Sequence, residues 1–124
     1  MEIEKLTNKE EEVMQVLWTM EKAFVKDVLP HFTEPPLHYN TLSTIIRNLE
    51  EKGYVAHRQY GNTYQYYPAI PKEAYRDHFV LNKVVGNYFN DSYKDLVASF
   101  AKQEKVSPNE LREIIKMIEE DSTT

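Results

Sequence analysis

Apolar residues recur at three- and four-residue steps early in the chain. Val13, Met14, Val16, Leu17 and Met20 form one stripe with Trp18 near its edge, which predicts a helix with one buried face. Thr7 followed by Glu10 is a capping box, so this helix begins just after Thr7. Phe24, Val25, Val28, Leu29 and Phe32 predict a second, shorter helix that Pro30 distorts or ends by removing a backbone donor. Thr33-Glu34-Pro35-Pro36 reads as a loop. A third helix runs from Asn40 or a neighbour as cap to Gly53 as stop, with Leu42, Ile45, Ile46 and Leu49 on its core face. The period then drops to two through Val55 and Tyr60, Gly61-Asn62 supplies a tight turn, and Thr63 to Pro68 returns, the pattern of a β-hairpin.

Three helices followed by a hairpin make a winged helix-turn-helix, placed here at residues 1–70. The fold class is therefore mainly α with a small β-hairpin wing. Beyond Pro71, Tyr75, Phe79, Val84, Val85, Tyr88 and Phe89 give the apolar side of a helical region that Gly86 weakens or bends. After a break at Asn90-Asp91-Ser92 comes a helix with Leu96, Val97 and Phe100. A further helix opens on the capping box Ser107-Pro108-Asn109-Glu110 and carries Leu111, Ile114, Ile115 and Ile118. Three short helices cannot easily cover that stripe, and a partner subunit is its natural cover. Residues 71–124 thus read as a dimerisation region, with Tyr75, Phe79, Leu96, Val97, Phe100, Leu111, Ile114, Ile115 and Ile118 as the candidate interface.

The outward side of the third helix is polar and mostly uncharged: Asn40, Ser43, Thr44, Arg47, Asn48 and Glu51, with Tyr39 and Thr41 beside them. A helix selected only for solubility carries Glu and Lys more often. Short hydroxyls, an amide and one Arg suit base edges and phosphates in a major groove. All of these but Glu51, with Arg58, Tyr60, Asn62 and Thr63 on the wing, are the candidate contacts to double-stranded DNA. Tyr64, Tyr66 and Tyr67 are expected mostly to pack the sheet.

Composition narrows the classes further. The 124 residues are 41% hydrophobic, enough for a core, and contain no cysteine, which excludes disulfides, cysteine nucleophiles and thiolate metal sites. His31, His38, His57 and His78 have no ligand spacing, and three glycines form no phosphate loop. No catalytic role, metal or cofactor is expected. No apolar run approaches the roughly 18 residues of a membrane span and the start lacks a signal-peptide profile, so a cytoplasmic protein without membrane insertion is expected. The net charge of -5 argues at first against nucleic acid. Its distribution is uneven, however: residues 1–36 carry four Lys against eight acids, whereas residues 37–67 carry Arg47, Lys52 and Arg58 against Glu50 and Glu51.

The motifs combine into a resemblance. Leu6-Thr7, Glu10 through Trp18, Lys26-Asp27-Val28, Asn40 through Gly53 and Gln65-Tyr66-Tyr67-Pro68 resemble the penicillinase repressor family of BlaI/MecI type. Leu96 through Phe100 and Ser107 through Leu111 are similar to its dimerisation helices, so the match spans nearly the whole chain. The resemblance implies a homodimeric winged-helix repressor that binds palindromic operators and blocks transcription of antibiotic-resistance or related genes. It also implies release by proteolysis in the C-terminal region, triggered by a membrane sensor protease. The family's cleavage bond, commonly Asn followed by Phe, falls here at Ser99-Phe100, and Ser43 stands where members often have Lys or Arg. Copper sensing through C-terminal cysteines, known in a related branch, is excluded. The rival reading is a winged helix used as a protein interaction module, favoured by the acidic charge; a salt titration of DNA binding separates the two.

Overall fold

The first helix, α1 (Asn8–Met20), starts where its capping box dictates. Glu10 donates its backbone N–H to Thr7 Oγ1 at 3.2 Å, and Thr7 donates its own to Glu10 Oε1 at 2.9 Å. The architecture is that of a computed structural model, which describes residues 3–122. Helix α2 (Val25–Val28) is one turn long and runs into a 3-10 turn, Leu29–His31, that accommodates Pro30. Helix α3 (Tyr39–Glu51) follows His38 rather than being capped by Asn40, which lies inside its first turn. At its far end the N–H of Tyr54 bonds the Leu49 carbonyl and that of Gly53 the Glu50 carbonyl, with Gly53 at φ 85°. This is a Schellman motif, which needs a left-handed residue at that position.

The chain then forms the antiparallel strands β1 (Val55–Tyr60) and β2 (Thr63–Pro68), with Arg58 opposite Gln65 and Tyr60 opposite Thr63. Gly61 (φ 57°) takes the first position of the two-residue turn, where a side chain would be strained. Ala23 adds an antiparallel bridge to Tyr66. Val13, Met14, Leu17, Val28, Leu42, Ile46, Leu49 and Tyr54 are fully buried where α1, α2 and α3 meet the hairpin. Burial pushes the Tyr54 phenol well above its ordinary pKa, and its hydroxyl donates to the Glu4 carbonyl.

Beyond Pro71 the expected helical region forms. Helix α4 (Lys72–Tyr75) passes into a π-helical turn, Arg76–Leu81, and then into α5 (Asn82–Tyr88). The first compact unit extends to Phe79. Of the expected dimerisation residues, Tyr75 is buried within it, 4% exposed with its ring against Trp18, Tyr54 and Phe79, and Phe79 is half-buried against the same core. The Trp18 indole N–H donates to the Ile70 carbonyl at 2.9 Å and the Tyr75 hydroxyl to Glu11 at 3.0 Å, which folds this segment onto α1. Burial first, and then Glu11, push the Tyr75 phenol up to about 12. Helical spacing shows that these aromatics share a face, but it does not say which surface that face meets.

The second unit begins at Val80. After α5, Asn90 and Asp91 take left-handed conformations, which their short polar side chains tolerate. Ser92 then caps α6 (Tyr93–Lys102) by accepting the Asp95 N–H at 3.1 Å. The Ser107–Glu110 capping box opens α7 (Pro108–Ser122) with both reciprocal bonds in place. Val85 is buried, whereas Val97, Phe100, Ile114, Ile115, Met117 and Ile118 remain exposed. Among the described residues no helix is long and apolar enough to cross a membrane.

Candidate nucleic-acid interface

Burying Leu42, Ile46 and Leu49 fixes the rotation of α3 and turns Tyr39, Asn40, Thr41, Thr44, Arg47 and Asn48 outward. All six are exposed, and Ser43 is half-buried at the edge of the stripe. Two side chains in this stripe are tied together. Thr44 Oγ1 donates to the Asn40 carbonyl at 3.0 Å and accepts from Arg47 Nη2 at 3.2 Å. The guanidinium is therefore held against the helix while its remaining N–H groups stay available to a base edge or phosphate. Lys52, counted among the cations of this region, is directed elsewhere: its ammonium lies 2.7 Å from Glu10 Oε1, against α1.

The hairpin is two-sided because alternate residues of a strand face opposite ways. Val55 and Tyr66 are buried, and His57, Gln59 and Tyr64 share their side. That side is turned to α3, since His57 Nδ1 lies 2.5 Å from Glu50 Oε2. The His57 ring stacks on Tyr64 at 4.3 Å between centroids, and Tyr64 meets Tyr66 edge-on at 6.4 Å. Tyr66 is pushed above its ordinary pKa by burial and by the Glu50 charge, opposed by Arg47, so helix and wing share one electrostatic environment.

Arg58, Tyr60 and Thr63, three of the four expected wing contacts, lie on the other side of the hairpin, and Asn62 is exposed at its tip. Of the three tyrosines expected to pack the sheet, Tyr66 is buried and Tyr64 packs against it and His57 with its outer part exposed, whereas Tyr67 is exposed. The residues that sequence reasoning passed over are His57 and Tyr64, which link the wing to α3. Strand alternation counted from an inward Val55 carries the signal for both.

In the second unit, Val97 and Phe100 are exposed on α6 with Leu96 half-buried, and Ile114, Ile115 and Ile118 are exposed on α7 with Leu111 half-buried. The Ser99-Phe100 bond lies inside α6, and Ser99 Oγ accepts from Gln103 Nε2 at 3.1 Å. Among the described residues no three His, Asp or Glu side chains gather as metal ligands.

The family model described as penicillinase repressor matches residues 6–120. The penicillinase repressor of Bacillus licheniformis is 25% identical over 122 residues, covering 95% of this chain and 92% of that protein. The methicillin resistance regulatory protein MecI of Staphylococcus aureus is 24% identical over 115 residues, covering 89% of each. Among solved structures, the DNA-binding domain of the repressor BlaI superposes with a TM-score of 0.53 at 25% identity, over 60% of this chain and 92% of that one. Bacillus licheniformis BlaI in complex with the blaP half-operator gives 0.50, with the same identity and coverage.

Proposed function

The chain belongs to the penicillinase repressor family, and on that premise we propose that it is a transcriptional repressor that binds palindromic operator DNA as a homodimer. The observation that carries this reading is the exposed stripe on α3, polar and carrying a single oriented cation, Arg47, beside a wing joined to the same helix through His57 and Glu50. In a winged helix that stripe enters the major groove while the wing reaches the adjacent backbone or minor groove. The BlaI relative bound to a half-operator supports this use of the fold. Two copies suit the exposed apolar residues of α6 and α7, and a palindrome then engages both α3 helices.

Derepression by cutting at Ser99-Phe100, through a membrane sensor protease, is the inducing step that the family suggests. Peptide bonds inside a helix are coiled and hydrogen-bonded, so α6 must open locally before a protease takes this one. The proposal as a whole is tested by a mobility shift of DNA from upstream of the chain's own gene at several salt concentrations. Specific binding that weakens as salt rises is expected. A folded protein that shifts no duplex even at low salt would leave the protein-interaction reading instead.

A further inference from the structure

The side of the hairpin turned away from α3 continues past the wing onto the turn between α1 and α2. Ala23 is buried and bridges Tyr66, so its neighbours Lys22 and Phe24 emerge on the opposite side. Lys22 joins Arg58, Tyr60, Gln65, Tyr67 and Glu21 around an open cavity of about 300 Å³. The Phe24 ring meets Tyr60 edge-on at 5.9 Å, and the Lys26 ammonium lies 5.8 Å from the centre of the Phe24 ring. Three cations and three aromatic rings thus share a surface with the Glu21 carboxylate, and beside them Asp27 accepts the Phe24 N–H at 3.1 Å, on a chain of net charge -5. Among the described residues none of these cations is in an ion pair.

We infer that this face is a track for the phosphate backbone of duplex DNA flanking the groove that α3 enters, so that the α1–α2 turn binds DNA together with the wing. The inference rests on the proposed docking of α3. On the other side of the hairpin His57 is tied to Glu50 of α3. A duplex that receives α3 in its major groove also passes the wing, from which Arg58 and Tyr60 lead onto Lys22, Phe24 and Lys26. Phosphates need charge and hydroxyl donors rather than a deep pocket, and this surface offers Lys22, Lys26, Arg58 and the phenols of Tyr60 and Tyr67.

The test uses the full chain and two labelled duplexes, one limited to the half-site read by α3, the other extended at the wing side by about half a helical turn of arbitrary sequence. The parent is expected to bind the longer duplex more tightly and with a steeper salt dependence. The double variant Lys22→Ala/Lys26→Ala should lose that gain, its salt slope on the long duplex falling by about two, while its binding to the short duplex stays unchanged. Equal binding of both duplexes by the parent, or a double variant that matches the parent on the long duplex, would overturn the inference and leave the docking of α3 intact. Failure to bind either duplex would overturn both. A variant that keeps the long duplex but loses a polyglutamate peptide held by the parent would assign the face to an acidic protein instead.

Discussion

Lys52 donates from its ammonium to Glu10 Oε1 at 2.7 Å, tying the C-terminal end of α3 to the first turn of α1. Burial alone would raise the Glu10 pKa, but the hydrogen bond and charge of Lys52, with Thr7, hold it below the usual carboxylate range. A carboxyl depressed in the folded state contributes stability that is complete above its unfolded pKa and is lost as pH falls through the lower folded value. Lys52→Met is therefore expected to cost about 2 kcal/mol at neutral pH. The gap between variant and parent should narrow below about pH 4. Urea melts across pH measure this. DNA affinity and its salt slope should not move, because this cation faces α1; a flattened slope would place Lys52 on the DNA instead.

Arg47→Ala is expected to weaken operator binding by about 1–3 kcal/mol, the range of a good base contact. Arg47 is exposed and bonded only to Thr44 within α3, so the melting temperature should stay close to that of the parent. Fluorescence anisotropy against the operator and a scrambled duplex reads both affinity and discrimination. Normal affinity in the folded variant removes Arg47 from the interface.

Gly61→Val addresses the wing. A Cβ at Gly61 meets nothing within 4 Å, so crowding is absent and the cost comes from the φ of 57°. For a β-branched residue that strain is on the order of 1–2 kcal/mol. Because the turn can rearrange while the buried core of the first unit holds, operator affinity should fall more than thermal stability. Intact binding alongside rearranged turn resonances in NMR spectra would show that the wing tip makes no contact.

Ile115→Asp tests assembly. Ile115 is 53% exposed on α7 beside Ile114 and Ile118, and a carboxylate buried without a partner in an interface formed there is costly enough to split a modest dimer. The variant should sediment as a monomer at micromolar concentration while keeping the winged-helix fold, whose capping box and core lie within the first unit. Operator affinity should drop far more than the loss of one phosphate contact explains, since the second half-site no longer acts at high effective concentration. A variant that remains dimeric places Ile115 outside the interface, and a monomer that binds the palindrome like the parent uncouples assembly from binding.

What the sequence determined by itself lies within a few residues of each signal. The capping boxes at Thr7–Glu10 and Ser107–Glu110, the helix stop at Gly53 and the turn at Gly61 are all realised, because each depends on hydrogen bonds or dihedral angles internal to a short segment. The apolar stripe of α3 likewise set which of its residues face outward. Tertiary structure decided the destinations. Tyr75 has the spacing of an interface residue but closes the core of the first unit by bonding Glu11, 64 residues away, and Lys52 looks like a free cation until Glu10, 42 residues away, takes it up. Strand alternation puts Tyr64 and His57 on one side of the hairpin, but the pairing of His57 with Glu50 is what turns that side to α3. Periodicity states that a side chain must be covered or a charge solvated; which distant group does so follows from the packing of the whole chain.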